Sequence, residues 1–219
     1  MIFIVNLEKM TNAMTKQLAH KQYLFKRNHT KHHYKSNENQ HRVGELLVHY
    51  GLRKMYQLES LDWQFKFGTY GKPYIDSPQP VFISLSYSGN YVACAFDQSE
   101  IGLDIENLSP IEWQRLKIQF TKEEAHWIDN ETQFYMIWTQ KEAYAKLTGK
   151  GLSEGVATNN VLEPLYYHGQ PIAFQTQIKD TLMIQLCQTK PCTQTPMIEV
   201  DLETLLASSY MDHPGSFTH

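Results

Sequence analysis

The sequence predicts an α+β fold for this chain of 219 residues. Segments with apolar residues at helical spacing occur together with short runs of β-branched and aromatic residues. Brief polar turns separate most of the β-like runs, which favours hairpins over a parallel sheet with crossover helices. Hydrophobic residues make up 42% and charged residues 20% of the chain, which is typical of a globular protein with a buried core.

The first half of the chain predicts one strand, then helices, then a series of strands. Residues 12–57 predict two or more helices that are interrupted within 28–40, and 42–55 has a clear helical period. The tetrapeptide at 70–73 indicates a turn because it contains Gly and Pro. The predicted strands are 2–5, 63–67, 81–85, 91–96 and 101–105, with a tight turn at 88–90.

The second half predicts two helices followed by further strands. Thr121 is a candidate N-cap for a short helix that has Glu123 and Glu124 in its first turn. Residues 133–149 form the most regular helical pattern, and Gly149 is its expected C-terminal stop. The β-like runs that follow are 172–178, 182–187 and 197–202.

Composition excludes several classes of protein. The net charge of −3 predicts no nucleic-acid partner. Three cysteines are too few for a disulfide framework, and no segment approaches the roughly 18 apolar residues of a membrane span. The apolar run 2–5 is too short for a secretory signal. We therefore expect a cytoplasmic protein with reduced thiols that does not bind a membrane.

The charges are unevenly distributed along the chain. Residues 16–54 hold nine Lys or Arg against two acids, whereas residues 97–131 hold nine acids against three bases. A basic segment next to an acidic one is typical of a site for a phosphate-rich ligand and its metal ion.

The sequence IGLDIE at 101–106 carries the first chemical signal. Residues i and i+2 of a strand point to the same side, so Asp104 and Glu106 are expected to project together. Two converging carboxylates repel each other unless a cation or protons intervene, and oxygen ligands suit Mg²⁺. The alternative is a solvated strand face with two ordinary acids.

The second signal is WTQKEAYAK at 138–146. On a helix, Trp138, Glu142 and Lys146 share one face, and Lys141 lies about 100° round from Glu142. A surface Glu–Lys pair beside a tryptophan at the edge of the core is the alternative that the same residues allow.

Two weaker signals precede these. Lys72 is presented on the turn at 70–73, and serines occupy the alternate positions 84, 86 and 88. Alternating hydroxyls on a strand suit donors for phosphate oxygens. An exposed loop lysine and the solvent face of a sheet edge are the alternatives.

Together and in this order, the motifs resemble the 4′-phosphopantetheinyl transferase superfamily, in particular the surfactin-synthetase-activating type. The motifs are GKP at 71–73, SxSG at 86–89, GxDxE at 102–106, WxxKExxxK at 138–146, and GKG followed by Leu at 149–152. The resemblance implies two similar α+β halves, 1–101 and 102–219, with coenzyme A between them. It also implies a monomer that uses Mg²⁺ to move phosphopantetheine onto a serine of an apo acyl or peptidyl carrier protein.

The resemblance assigns roles to individual residues. The implied Mg²⁺ ligands are Asp104, Glu106 and Glu142. The implied catalytic residues are Glu142, Lys146 on the transferred phosphate, and Glu124 near the metal or as a base. The implied coenzyme A ligands are Arg42, Lys72, Pro73, Ser86, Tyr87 and Lys141.

Tyr87 departs from the pattern, since many relatives have a histidine there that touches the 3′-phosphate. A tyrosine hydroxyl donates a hydrogen bond but brings no positive charge. The Lys and His residues at 26–35 are candidates to compensate. The sequence leaves open whether Glu142 or Glu124 is the general base. It also leaves open a non-catalytic coenzyme A or nucleotide-phosphate binding module, a Mg²⁺-dependent phosphohydrolase, and a catalytically inactive relative.

Overall fold

A computed structural model describes residues 1–20, 38–151, 155–190 and 194–208. The mixed α+β class is confirmed within these ranges. The helices are α1 (Asn12–Ala19), α2 (Glu38–Tyr56), α3 (Trp113–Leu116), α4 (Lys122–Trp127), α5 (Glu131–Thr148) and α6 (Leu202–Ser208), with a 3₁₀ turn at Lys117–Gln119. The candidates for compensation at 26–35 lie outside the described residues.

Two main sheets and two small hairpins contain the strands. The strands are β1 (Ile2–Asn6), β2 (Gln64–Phe67), β3 (Pro73–Asp76), β4 (Phe82–Ser88), β5 (Tyr91–Asp97), β6 (Ile101–Asn107), β7 (Tyr166–Tyr167), β8 (Gln170–Pro171), β9 (Ala173–Lys179), β10 (Leu182–Gln188) and β11 (Met197–Glu199). The first sheet has the order β11-β1-β5-β4, and only its β1–β11 pair is parallel. The second sheet, β6-β10-β9, is antiparallel.

The two sheets pack face to face, and each carries a helix on its outer side. Side chains of β1 alternate between two cores: Phe3 faces the core shared with α2, and Ile4 faces the core between the sheets. The second sheet contributes Leu103 and Leu186 to that inter-sheet core. Its outer face packs against α5, so the layers run α2, first sheet, second sheet, α5.

Gly102 sets the distance between α5 and β6. A Cβ atom at this position would lie 1.9 Å from the carbonyl oxygen of Ala143. Only glycine lets the helix backbone approach the strand this closely. The close approach brings the α5 side chains onto the face of β6 that carries Asp104.

The structure extends or corrects several predicted elements. The run 197–202 was predicted as one strand, which is wrong: β11 ends at Glu199 and α6 begins at Leu202. The reason is Asp201, whose carboxylate accepts hydrogen bonds from the next backbone amides and starts a helix. The strand after the 70–73 turn was missed because four mixed residues carry little periodic signal. Strands β4 and β6 extend beyond their predicted ends through polar residues that contact each other.

The C-terminal described segment packs with the N-terminal elements. Leu202, Leu205 and Leu206 belong to the same core as Val43 and Leu47 of α2. Strand β11 pairs with β1. The division into 1–101 and 102–219 remains a prediction. Across the ranges that the structure covers, no helix is both long enough and apolar enough to cross a lipid bilayer.

Candidate active site between β4, β6 and α5

Strand β6 presents the two predicted carboxylates on the face that α5 covers. Asp104 is only 4% exposed, and Glu106, two residues on, is half-buried. Leu103, which precedes Asp104, and Ile105, which lies between the two acids, point into the inter-sheet core. The period-2 alternation of the strand therefore produces the shared direction of Asp104 and Glu106.

Helix α5 supplies groups that face these carboxylates. Lys146 Nζ lies 2.7 Å from Asp104 Oδ1. Trp138 Nε1 donates a hydrogen bond of 3.1 Å to Glu106 Oε1. The structure thus brings Trp138 and Lys146, eight residues apart on one helix face, against the two acids of β6.

Glu142 lies on the same face of α5, and the charges of both acids affect its pKa. Burial raises its pKa above the ordinary glutamate value, the charge of Asp104 raises it further, and Lys146 opposes both effects. Burial also raises the pKa of Glu106, and hydrogen bonds from Ser88 and Trp138 oppose the rise. These shifts mark a partly desolvated cluster with an excess of negative charge.

Three serine hydroxyls join strands β4 and β6, which are edge strands of different sheets. The joining hydrogen bonds run from Leu103 N to Ser84 Oγ (2.8 Å), from Ile105 N to Ser86 Oγ (3.1 Å), and from Asn107 N to Ser88 Oγ (2.9 Å). Ser86 also donates to Asp104 Oδ1 at 2.9 Å, and Ser88 donates to Glu106 Oε2 at 2.7 Å. Sequence reasoning singled out these serines as phosphate donors and missed their contacts with the carboxylates. Their spacing of two residues, matched by that of Asp104 and Glu106, was the available signal.

The donor set suits a hard divalent cation. Asp104 Oδ2 is buried and has no hydrogen-bond partner among the described residues. A buried carboxylate oxygen that accepts no hydrogen bond is costly, and Mg²⁺ prefers carboxylate oxygens as ligands. In the part of the chain that the structure describes, no three His, Cys, Asp or Glu side chains already stand at metal-binding distances from one another. Lys146 supplies the positive charge at Asp104 in this arrangement.

Lys141 and Glu124 form a buried ion pair. Their charged atoms are 2.8 Å apart, and the side chains are 3% and 0% exposed. Glu124 Oε1 also accepts a hydrogen bond from Val161 N, and Oε2 accepts one from Thr121 N as part of the capping box of α4. Burial lowers the pKa of Lys141, and Glu124 opposes the shift. Lys141 Nζ also donates to the carbonyl oxygen of Asn159. The ion pair therefore links α4, α5 and the loop at 159–161.

The remaining candidate ligands of coenzyme A lie in two places. Lys72 Nζ contacts Glu100 Oε2 and the carbonyl oxygen of Leu147, each at 2.8 Å, so Lys72 lies at the C-terminal end of α5. Pro73 begins β3. On the other side, Arg42 on α2 pairs with Glu38.

Tyr87 lies against the same helix as Arg42. Its ring centroid is 4.9 Å from that of His41. A Cβ atom at Gly44 would lie 2.5 Å from the tyrosine hydroxyl oxygen, so glycine provides the space for the ring. An imidazole is therefore present beside position 87, although the residue at 87 is a tyrosine.

Comparison with known proteins gives consistent matches. The profile of the 4′-phosphopantetheinyl transferase superfamily matches residues 100–190. The chain is 40% identical over 124 residues to the 4′-phosphopantetheinyl transferase Sfp of Bacillus subtilis (strain 168), which covers 53% of this chain and 55% of that protein. It is 32% identical over 142 residues to the 4′-phosphopantetheinyl transferase AcpT of Salmonella typhimurium (59% and 69% covered). It is 29% identical over 180 residues to the 4′-phosphopantetheinyl transferase psf-1 of Bacillus pumilus (75% and 77% covered). The matches to the Bacillus subtilis relatives span about half the length of those proteins.

Proposed function

The chain belongs to the 4′-phosphopantetheinyl transferase superfamily, and on that premise we propose that it transfers phosphopantetheine from coenzyme A to a carrier-protein serine. The acceptor is an apo acyl or peptidyl carrier protein. The observation that carries this proposal is the convergence of Lys146 with Asp104 and Glu106, in which one buried oxygen of Asp104 has no partner among the described residues. Phosphoryl-group transfer depends chiefly on positioning and on charge compensation, and this cluster provides groups for both.

The proposed metal ligands are Asp104, Glu106 and Glu142. A magnesium ion held by them would supply positive charge beside the pyrophosphate of coenzyme A. Lys146 is proposed to leave Asp104 Oδ1 and to bind the phosphate that is transferred, since its side chain is 30% exposed and its amine is already at the site. Its ammonium offsets negative charge on the phosphate oxygens.

The proposed reaction is an in-line displacement at phosphorus. The serine oxygen of the carrier forms a bond to the phosphorus that bears the pantetheine arm, and the bond to the leaving oxygen of 3′,5′-ADP breaks. The serine proton passes to a carboxylate, directly or through water. We assign this role to Glu142 and not to Glu124. Both oxygens of Glu124 already accept hydrogen bonds, and the Glu124 side chain is fully buried.

The nucleotide end of coenzyme A is proposed to bind near Arg42 and Tyr87, because the Tyr87 ring packs on α2 next to His41, the neighbour of Arg42. Lys72 and Pro73 are proposed to lie along the phosphates, with Lys72 exchanging Glu100 for the ligand. Ser86 acts beneath the phosphates through Lys146, to which it is hydrogen-bonded at 2.8 Å. We assign Lys141 an indirect role, because its amine is occupied by Glu124.

The fold is proposed to consist of two pseudo-twofold related halves with the site between them. Each proposed half contains an antiparallel hairpin region covered by one long helix, α2 or α5, which supports this view. We further propose a cytoplasmic monomer with no nucleic-acid or membrane partner. Buried Cys94 and Cys187, both free thiols, suit a reducing compartment.

A direct test is to incubate the protein with coenzyme A, Mg²⁺ and an apo carrier protein, and to weigh the carrier by intact-mass spectrometry. The expected result is a gain of one phosphopantetheine group that EDTA abolishes. Coenzyme A binding without any gain on several carriers would replace the proposal with the non-catalytic binding module. Cleavage of coenzyme A in the absence of a carrier would instead identify a phosphohydrolase.

A further inference from the structure

We propose that Ser86 and Ser88 are positioning residues that aim the carboxylates of Asp104 and Glu106 at the metal. This inference rests on the proposed function, because it concerns the same metal site. The hydroxyls of β4 thus act indirectly, by orienting the carboxylates that bind the metal.

The two hydrogen bonds that Ser86 accepts determine where its own hydroxyl hydrogen points. A serine hydroxyl has two acceptor lone pairs and one donor hydrogen. Ser86 Oγ accepts from Ile105 N (3.1 Å) and from Lys146 Nζ (2.8 Å), so both lone pairs are used. Its hydrogen is then donated to Asp104 Oδ1 at 2.9 Å. Ser86 thus occupies Oδ1, together with Lys146 before coenzyme A binds, and Oδ2, which has no partner among the described residues, is left as the oxygen for a cation.

Glu106 is held from two sides in a similar way. Ser88 accepts from Asn107 N at 2.9 Å and donates to Glu106 Oε2 at 2.7 Å. Trp138 Nε1 donates to the other oxygen, Oε1, at 3.1 Å. Donors on both oxygens fix the plane of the carboxylate before any ligand arrives.

The orientation has an energetic purpose. Neighbouring carboxylates repel each other, and a free glutamate side chain would turn away from Asp104 toward water. Hydrogen bonds from outer groups keep metal ligands in the binding rotamer and contribute to metal affinity. Here the outer groups are Ser86 and Ser88, which also accept hydrogen bonds from backbone amides of β6. Because β6 carries both carboxylates, the serines and the metal ligands that they orient move as one unit.

Ser84 provides a matched control, because it belongs to the same ladder of hydrogen bonds between the serines of β4 and the backbone amides of β6. It is 5% exposed and accepts from Leu103 N at 2.8 Å, as Ser86 and Ser88 accept from the later amides. The β6 residue at the equivalent place next to Leu103 is Gly102, which has no carboxylate. Ser84→Ala therefore removes a link between the strands without touching a metal ligand.

The test measures Mn²⁺ binding to the full chain by electron paramagnetic resonance of the free ion, together with the melting temperature. Outer partners of metal ligands typically contribute about 10-fold or more to affinity. Ser88→Ala is therefore expected to weaken Mn²⁺ binding roughly 10-fold. Ser88→Thr keeps the hydroxyl and is expected to restore most of the affinity. Ser84→Ala is expected to lower the melting temperature about as much as Ser88→Ala and to leave Mn²⁺ affinity unchanged.

Equal loss of affinity in Ser84→Ala and Ser88→Ala would overturn the inference, because the ladder would then act only through stability. Unchanged affinity in Ser88→Ala would overturn it as well. If Ser88→Ala does not fold, Ser88→Cys offers the same comparison with a side chain of similar size and a weak donor. Failure of the unaltered protein to bind Mn²⁺ would overturn the proposed metal site and this inference together. Transfer with Mg²⁺ gives a second readout: Ser88→Ala should need more Mg²⁺ for half-maximal rate.

Discussion

Breaking the buried Lys141–Glu124 ion pair should destabilise the protein far more than it changes coenzyme A binding. The change is Lys141→Met, which keeps much of the side-chain volume and removes the charge. Glu124 would then remain fully buried with a negative charge and only its backbone donors. Removing one partner of a buried pair costs about 3–5 kcal/mol.

That cost corresponds to a large shift in melting temperature. For chains of about 150–250 residues, 1 kcal/mol shifts the melting temperature by roughly 2–4 °C. Lys141→Met is therefore expected to melt roughly 6–20 °C below the unaltered protein. The double variant Lys141→Met with Glu124→Gln should lose less stability than the two single variants lose in sum, because both charges are removed together.

Circular dichroism during heating and coenzyme A titration are the two assays. Glu112→Gln is the control, since it breaks the Arg115–Glu112 pair, whose side chains are 83% and 75% exposed, and should not move the melting temperature measurably. A Lys141→Met protein that melts like the unaltered one and loses coenzyme A affinity would refute the structural role. Lys141 would then act on the phosphates directly.

Three further outcomes are expected. Gly102→Ala should lower the melting temperature sharply and reduce transfer, because its Cβ atom would meet the carbonyl oxygen of Ala143. Gly68→Ala serves as the control in thermal melts, since its Cβ atom would lie 3.8 Å from the carbonyl oxygen of Lys72, an ordinary van der Waals distance. Cys94 and Cys187 should not react with a disulfide reagent at pH 8 until the protein unfolds, since burial raises the pKa of both thiols, and peptide mapping would reveal an early reaction. The KM for an acidic carrier protein should rise with salt, as screening weakens electrostatic docking; a KM that is the same at low and high salt would exclude such docking.

The parts of the site that local periodicity controls could be predicted from the sequence. A strand alternates with period 2, which places Asp104 and Glu106 on one side. A helix has 3.6 residues per turn, which places Trp138 and Lys146 on one face. The structure adds that these two faces meet, with Lys146 Nζ on Asp104 Oδ1.

The parts that depend on long-range packing could not be predicted. Ser84, Ser86 and Ser88 join edge strands of two different sheets, and side-chain hydroxyls there take the place of strand carbonyls. No single-strand pattern specifies that neighbour. The Lys141–Glu124 pair likewise links residues on separate helices, and the sequence does not reveal that both are buried.

The central claim is that Asp104 is the anchoring carboxylate of a site for metal-assisted phosphopantetheine transfer. The most direct test is the rate at which Asp104→Asn modifies an apo carrier protein at saturating coenzyme A and Mg²⁺, with Asp76→Asn, an exposed carboxylate on β3, as the control. A direct ligand should matter more than its outer partners, so the rate is expected to fall more than about 100-fold while the near-ultraviolet dichroism stays native. The control should retain the full rate. An Asp104→Asn protein that keeps most of the transfer rate would contradict the account.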